Sequence, residues 1–333
     1  MTLPERTLGR SGLRVTRLGL GLAAVGRPAY INLGRARDLP AARTPDALFG
    51  RTAELLDAAY AAGIRYVDVA RSYGRAEEFL TRWLADRRVA PHALTVGSKW
   101  GYRYTAGWTV DAAVHEQKEL SLARFTAQLA ESRSLLRDHL DLYQIHSATP
   151  ESLGDATLLD ALVSGRRAGA YRAVGLTLSG PTSARALELA LAARAGGERV
   201  FDVVQATFNC LEPSLAALLA RAHDAGLGVI AKEVFANGRL TAANTLADDA
   251  SLVQGLHAAA VARGCSMDQL ALAFVLDHPF VDVALSGAAT PAQLASHAGA
   301  LAVTIDDDAR ASLAAIAEPP GRYWETRGRL PWQ

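Results

Sequence analysis

Eight apolar runs of strand length recur along this chain, each followed by an Ala/Leu/Arg-rich segment with helical spacing. The runs are Arg17 to Ala24, Ile64 to Ala70, Leu94 to Ser98, Leu140 to Ile145, Ala173 to Leu178, Phe201 to Ala206, Gly228 to Val234 and Phe280 to Ser286. Helical candidates between them include Ala47 to Ala62, Arg124 to Leu136, Ser183 to Ala195, Ser214 to Ala225 and Met267 to Asp277. Gly63, Gly169 and Gly226 each stand where a helix should end before the next strand, as a left-handed C-cap does. Eight such alternations predict a closed (β/α)₈ TIM barrel rather than a doubly wound sheet. A short N-terminal β-hairpin over Thr7 to Val15, turning around Gly9 and Gly12, should precede it. No linker or shift in composition divides residues 1–333, so a single barrel domain is expected.

Charge excludes some partners. Lys plus Arg number 35 and Asp plus Glu 34, so no global field draws the chain to nucleic acid or to an anionic membrane. Cys210 and Cys265 lie in no CxxC or Cys/His cluster, which argues against a disulfide framework and against a zinc site. The N-terminus lacks an apolar h-region and no apolar run reaches the length of a membrane span. A cytoplasmic protein acting on a small molecule is the expectation; oligomeric state is not legible.

Three stretches break the rhythm: Gly26 to Pro45, Trp100 to Ser121, and the tail from Glu318. The first two follow barrel strands, and loops there open on the catalytic face. Together the three stretches carry four of the five tryptophans. Long loops need small cores of their own, which is the plain use for any one of these rings. As a group they are expected to wall a substrate pocket, with Tyr30, Trp100, Trp108, Tyr323 and Trp324 as its lining. Arg27, Arg35, Arg37, Arg43 and Arg103 could equally meet a carboxylate, a sugar or a phosphate there.

The chemistry lies at the carboxyl ends of the second to fourth runs. Asp68 ends one, with Tyr73 five residues on; Lys99 and His146 end the next two. Taken singly, Asp68 could cap a helix, Tyr73 pack a loop, Lys99 face solvent and His146 sit satisfied in the core. Ends of adjacent strands gather all four, and buried ionisable groups persist when paired or functional. Such a set suits carbonyl reduction. A free phenol, of pKa about 10, exchanges protons poorly at neutral pH, and a nearby Lys99 ammonium is expected to lower that value. Asp68 would hold Lys99 charged, and His146 would orient the carbonyl oxygen. Hydride must come from a cofactor, since no side chain supplies it.

These residues, with Gly9-Arg-Ser-Gly-Leu-Arg-Val15 upstream, resemble the aldo-keto reductases over nearly the whole chain. The resemblance implies a (β/α)₈ barrel, direct use of NAD(P)H without metal or flavin, and an Asp, Tyr, Lys, His tetrad at Asp68, Tyr73, Lys99 and His146. It also implies a cofactor site at Thr177, Gln205, Lys232, Asn237, Gly238, Arg239, Gly287, Gln293 and His297. Here the chain departs from pattern. The family's Ser-Asn pair is Thr177-Leu178, and Lys232 stands where an aromatic ring usually stacks on the nicotinamide, unless Phe235 swings in. The segment resembling the 2′-phosphate grip has no Lys or Arg between Arg263 and Arg310. NADP(H) is favoured by resemblance and NAD(H) is compatible, with Arg239 or a loop arginine as the substitute cation.

Two other readings stay open. Lys99 beside a carboxylate suits a Schiff-base lyase, which leaves Tyr73 and Gln205 unused. The same barrel also suits a non-catalytic nucleotide-binding or interaction subunit.

Overall fold

Strands β1 (Leu18–Gly21), β2 (Tyr66–Asp68), β3 (Thr95–Trp100), β4 (Leu142–Ile145), β5 (Ala173–Leu178), β6 (Val203–Thr207), β7 (Gly228–Lys232) and β8 (Val283–Ser286) close into one parallel barrel in chain order. β8 pairs with β1 to complete the ring, in register Ala284 to Leu18 and Ser286 to Leu20. The computed structural model describes residues 3–333. Each strand falls inside or against its predicted apolar run, and β2, β4, β6 and β8 begin two or three residues later, because the first residues of those runs serve as the approach to the sheet.

Three of those approach residues are buried aspartates with a common task. Asp141, Asp202 and Asp282 precede β4, β6 and β8, and their Oδ2 atoms accept the backbone N–H of Val96, Val174 and Val229 in the preceding strand, at 3.0, 3.0 and 2.9 Å. An N–H at the buried start of a strand is costly if unpaired, and these carboxylates remove that cost.

The lower end of the barrel is sealed by the N-terminal hairpin, Glu5–Thr7 against Arg14–Thr16. Leu8, Leu13 and Val15 pack on the inward-facing Tyr66, Leu142, Ala173, Val203, Ile230 and Val283. Gly9 lies so close to the chain at Gly228 that a Cβ would stand 2.1 Å from that residue's nitrogen. Only glycine fits that approach.

Helices cover the outside, and Gly63, Gly169 and Gly226 adopt φ of 87°, 70° and 90°, the left-handed terminations expected of them. Ser266 and Gln269 form a capping box on the helix Met267–Asp277. No helix among the described residues is long and apolar enough to cross a membrane.

The three interruptions lie over the upper mouth. Trp100 to Ser121 contains a second hairpin, Tyr102–Tyr104 with Glu116–Lys118. The tail forms a helix, Pro320–Arg329, then crosses to the first loop, where Ile31 bridges Trp332 and the Gln333 carbonyl accepts from the Tyr30 amide at 3.0 Å. Trp332 stacks on His115 at 4.1 Å with planes 3° apart. The three excursions are thus one roof, in which the first loop and the tail meet although Ile31 and Trp332 lie about 300 residues apart in sequence.

Candidate active site

Register sets the heights of the groups. Asp68 pairs with Gly97, and Lys99 with Gln144, so Asp68, Lys99 and His146 climb the inner wall of β2, β3 and the end of β4. Gly97 has no side chain because Tyr66 fills that space: a Cβ would stand 2.3 Å from the Tyr66 hydroxyl. That hydroxyl donates to Asp68 Oδ2 at 3.1 Å. Gln205 Nε2 donates to the same oxygen at 2.9 Å, and Lys99 Nζ donates to Asp68 Oδ1 and to the Val69 carbonyl at 3.1 Å. Asp68 is therefore a buried anion with a cation and several neutral donors around it, as its burial demands.

Above this pair stands Tyr73. Lys99 Nζ lies 4.7 Å from its ring centroid, and the His146 ring lies 5.6 Å away, edge-on at 83°. Burial first, and the Asp68 charge next, push the Tyr73 phenol well above its ordinary value. The expected lowering by Lys99 is absent because that ammonium is committed to Asp68 and faces the ring rather than the hydroxyl. The phenol keeps its proton. His146 is driven the other way, well below the usual histidine range, by burial and then by Lys99, Lys232, Arg27 and Lys118. It is a neutral imidazole whose buried Nδ1 has no protein partner.

A cavity of about 390 Å³ opens over these groups. Asp68, Tyr73 and His146 line it on the β2–β4 side, and Ser179, Gln205, Lys232, Asn237, Ser286 and Gly287 on the β5–β8 side. Tyr30, Tyr102, Arg27 and Trp332 form its upper wall. The Arg27 guanidinium sits 5.0, 5.2 and 5.1 Å from the rings of Tyr30, Tyr73 and Trp332 and is anchored by Glu116 at 2.7 Å.

A model of the Aldo/keto reductase family matches residues 43–318. The chain belongs to the aldo/keto reductase family. Curated relatives include an uncharacterized oxidoreductase of Bacillus subtilis, 28% identical over 52% of this chain and 48% of its own length. An aldo-keto reductase of Strobilurus tenacellus is 26% identical over 75% of this chain and 66% of its own length. This chain therefore spans about half of the first and just under two thirds of the second. Protein tas of Escherichia coli is 28% identical over 78% of this chain and 87% of its own length. Among solved structures, an aldo-keto reductase of Bacillus halodurans in its holo form has a TM-score of 0.74 at 20% identity, over 95% of this chain and 97% of that one. That likeness shows the shared barrel, and the family match makes the chain one of a family of oxidoreductases.

Several residues singled out in this aldo/keto reductase lie away from the cavity. Trp100 follows Lys99 on β3, so strand alternation turns it outward, fully buried against Phe125 at 5.1 Å. Trp108 packs on Phe79 at 6.3 Å and donates to the Arg43 carbonyl at 2.8 Å. Tyr323 and Trp324 are neighbours on the tail helix, their rings 5.2 Å apart, with the Tyr323 hydroxyl held by Asn209 at 3.1 Å. They serve loop cores. Of the expected aromatic lining, Tyr30 alone faces the cavity.

The cofactor candidates divide in the same way. Thr177 lies one layer down, accepting the Ser147 amide at 2.7 Å, while Leu178 points out into the core. Gly238 packs its backbone on Leu33. Arg239 is buried between Asp249 and Glu318, so the proposed substitute cation is already spent. Gln293 holds the Ala289 amide and Asp38, both at 2.8 Å, and His297 is bonded to Ser286 at 2.8 Å. Phe235 lines the cavity but leans on His297 at 4.3 Å.

Ser179, Ser147, Glu116 and Arg327 line the cavity and escaped the sequence reading. Ser179 was within reach, since it shares the inward parity of Thr177. Glu116 and Arg327 gave no local signal, because their partners, Arg27 and Glu233, lie far away in sequence.

Proposed function

We propose that this chain interconverts an aldehyde or ketone and the corresponding alcohol with NAD(P)H, using Tyr73 as general acid in reduction and base in oxidation. The observation that carries this reading is a protonated, buried phenol and a neutral imidazole facing one cavity above a buried Lys99–Asp68 pair.

The cavity suits a nicotinamide dinucleotide. Asn237 Oδ1 is buried without a partner at its far wall, and nothing lies within 4 Å of where a Gly287 Cβ would be. Ser179, Gln205, Lys232, Asn237, Ser286 and Gly287 would hold it. When bound, the reduced nicotinamide supplies the hydride. The rest is the work of this chain. Tyr73 Oη gives its proton to the carbonyl oxygen as charge develops there. His146 is neutral and can donate only one ring N–H, which orients that oxygen beside Tyr73 without adding a competing charge. Arg27, whose guanidinium lies 5.2 Å from the Tyr73 ring, is the cation that eases formation of the phenolate left behind, while the Lys99–Asp68 pair forms the floor beneath the ring. Tyr30, Tyr102 and Trp332 exclude water from the site.

A Schiff-base role for Lys99 has less support: the amine is buried, tied to Asp68 and Val69, and does not line the cavity. Tyr73→Phe tests the proposal. It should retain cofactor Kd and lose roughly 10²- to 10⁴-fold in kcat, followed at 340 nm with a panel of aldehydes and ketones. Turnover by the variant at the wild-type rate would end this mechanism, and a wild-type chain that binds NADPH but reduces nothing would mark a binding subunit instead.

A further inference from the structure

Lys232 is a half-buried cation on the wall of this cavity, and its neighbours leave its charge uncompensated. Its Nζ donates to Ser179 and Thr207 hydroxyls, both at 2.9 Å, and no third acceptor meets it among the described residues. The Glu233 carboxylate is 3.8 Å away, but both its oxygens accept from Arg327 Nε, at 2.9 and 3.1 Å, and Thr207 donates to it at 3.0 Å. One carboxylate thus faces two cations, and the cluster keeps one positive charge. Across the cavity the Lys99–Asp68 pair is neutral in sum, as is Arg27 with Glu116.

The position is built. Glu233 holds φ of 53° and Ser147 holds 55°, a left-handed backbone that non-glycine residues adopt at a cost. These turns directly follow Lys232 and His146, and they leave both facing the same space. Ser147 and Ser179 hydroxyls, 3.4 Å apart, link the end of β4 to the Lys232 ammonium. A carbonyl oxygen held at Tyr73 and His146 needs its hydride from a ring in the same cavity, across from the proton donors. The free side is the β5–β8 wall, where Lys232 stands.

Resting on the reading that this cavity takes a nicotinamide dinucleotide, we infer that Lys232 is a redox-state selector at the binding step: it favours the neutral reduced nicotinamide over the cationic oxidised ring, so that the site loads the reduced cofactor and releases the oxidised one. The physical cause is charge. Oxidised nicotinamide carries a ring cation and the reduced ring does not, whereas the carboxamide, ribose and phosphates are common to both and cancel in the ratio. In a site of low effective dielectric, one such repulsion is worth at least about tenfold in relative affinity.

The test is the ratio of Kd for NADP⁺ to Kd for NADPH in the full chain, from quenching of tryptophan fluorescence, repeated with NAD⁺ and NADH. Lys232→Met should lower the ratio by about tenfold, and Lys232→Arg should keep it. Wild-type protein gives a second arm that needs no variant. Burial lowers the Lys232 pKa to about 8, opposed by Glu233 and assisted by Arg327 and Lys99. The ratio should therefore be high at pH 6.5 and fall toward the Lys232→Met value by pH 9.5, while Arg327 stays charged and His146 stays neutral. A ratio unchanged by Lys232→Met, or flat across that range, would overturn the selector. Failure of all four nucleotides to bind would overturn the nicotinamide reading itself, and the selector with it.

Discussion

The two halves of the barrel mouth are built on different rules. On the β2–β4 side, Asp68, Lys99 and His146 stand at the ends of consecutive strands, and their contacts follow from strand register alone. On the β5–β8 side, Lys232 and Glu233 owe their arrangement to Arg327, which lies in the tail 94 residues beyond Glu233. The first half is a local code repeated on neighbouring strands. The second is assembled by long-range ion pairs.

The sharpest way to break that contrast is to remove one lysine from each side. Lys99→Met strands the Asp68 anion in the barrel, and loss of one member of a buried pair costs about 3–5 kcal/mol. Lys232→Met leaves Glu233 with Arg327 and Thr207, so its cost should stay below about 1 kcal/mol. Urea denaturation of the two variants measures both. Equal losses would mean that the two sides are stabilised alike.

This difference also explains what could be read from the sequence. The barrel was legible because strand and helix periods repeat eight times, and the gathering of Asp68, Lys99 and His146 because a strand end fixes where a side chain points. Trp100 was misplaced by one residue of parity: Lys99 faces in, so its neighbour faces out. Trp108, Tyr323 and Trp324 were misjudged because loop aromatics can wall a pocket or pack a loop, and only the tertiary path of the tail decides. Arg239 looked like a free cation beside a glycine turn; Asp249 and Glu318, which hold it, approach from separate segments. Asp141, Asp202 and Asp282 carry no signal in the sequence, since their acceptor role exists only across the sheet.

Acid weakens the second half by protonating Glu233. Glu233 is held at about 2, burial opposing the shift and Arg327 and Lys232 outweighing it. A carboxylate whose folded pKa is depressed contributes stability above its ordinary value, and loses it as pH falls from about 4.5 toward about 2. The contribution at neutral pH is at most on the order of 3 kcal/mol. Urea midpoints for wild type and Glu233→Gln should therefore differ clearly at pH 6 and converge toward pH 2.5. A constant gap across that range would show that Arg327 does not discriminate the ionised form.

The smallest effect concerns the adenosine end of the proposed cofactor, where the second half lacks a cation. Selecting a 2′-phosphate takes charge-assisted bonds from Lys or Arg. Near the Gly287–His297 segment, Gln293 bonds to the acid Asp38, and His297 is held neutral by burial, with its pKa down at about 4. Arg51 reaches the Ala289 carbonyl at 3.2 Å but is also paired with Glu54 at 3.1 Å. The expected outcome is a preference for NADPH over NADH of no more than about tenfold in Kd, or about 1.4 kcal/mol. A preference above about a hundredfold would require a cation to reach the phosphate. Arg51, freed from its exposed partner, is the group positioned to do so, and Arg51→Ala would then abolish that preference while leaving NADH affinity in place.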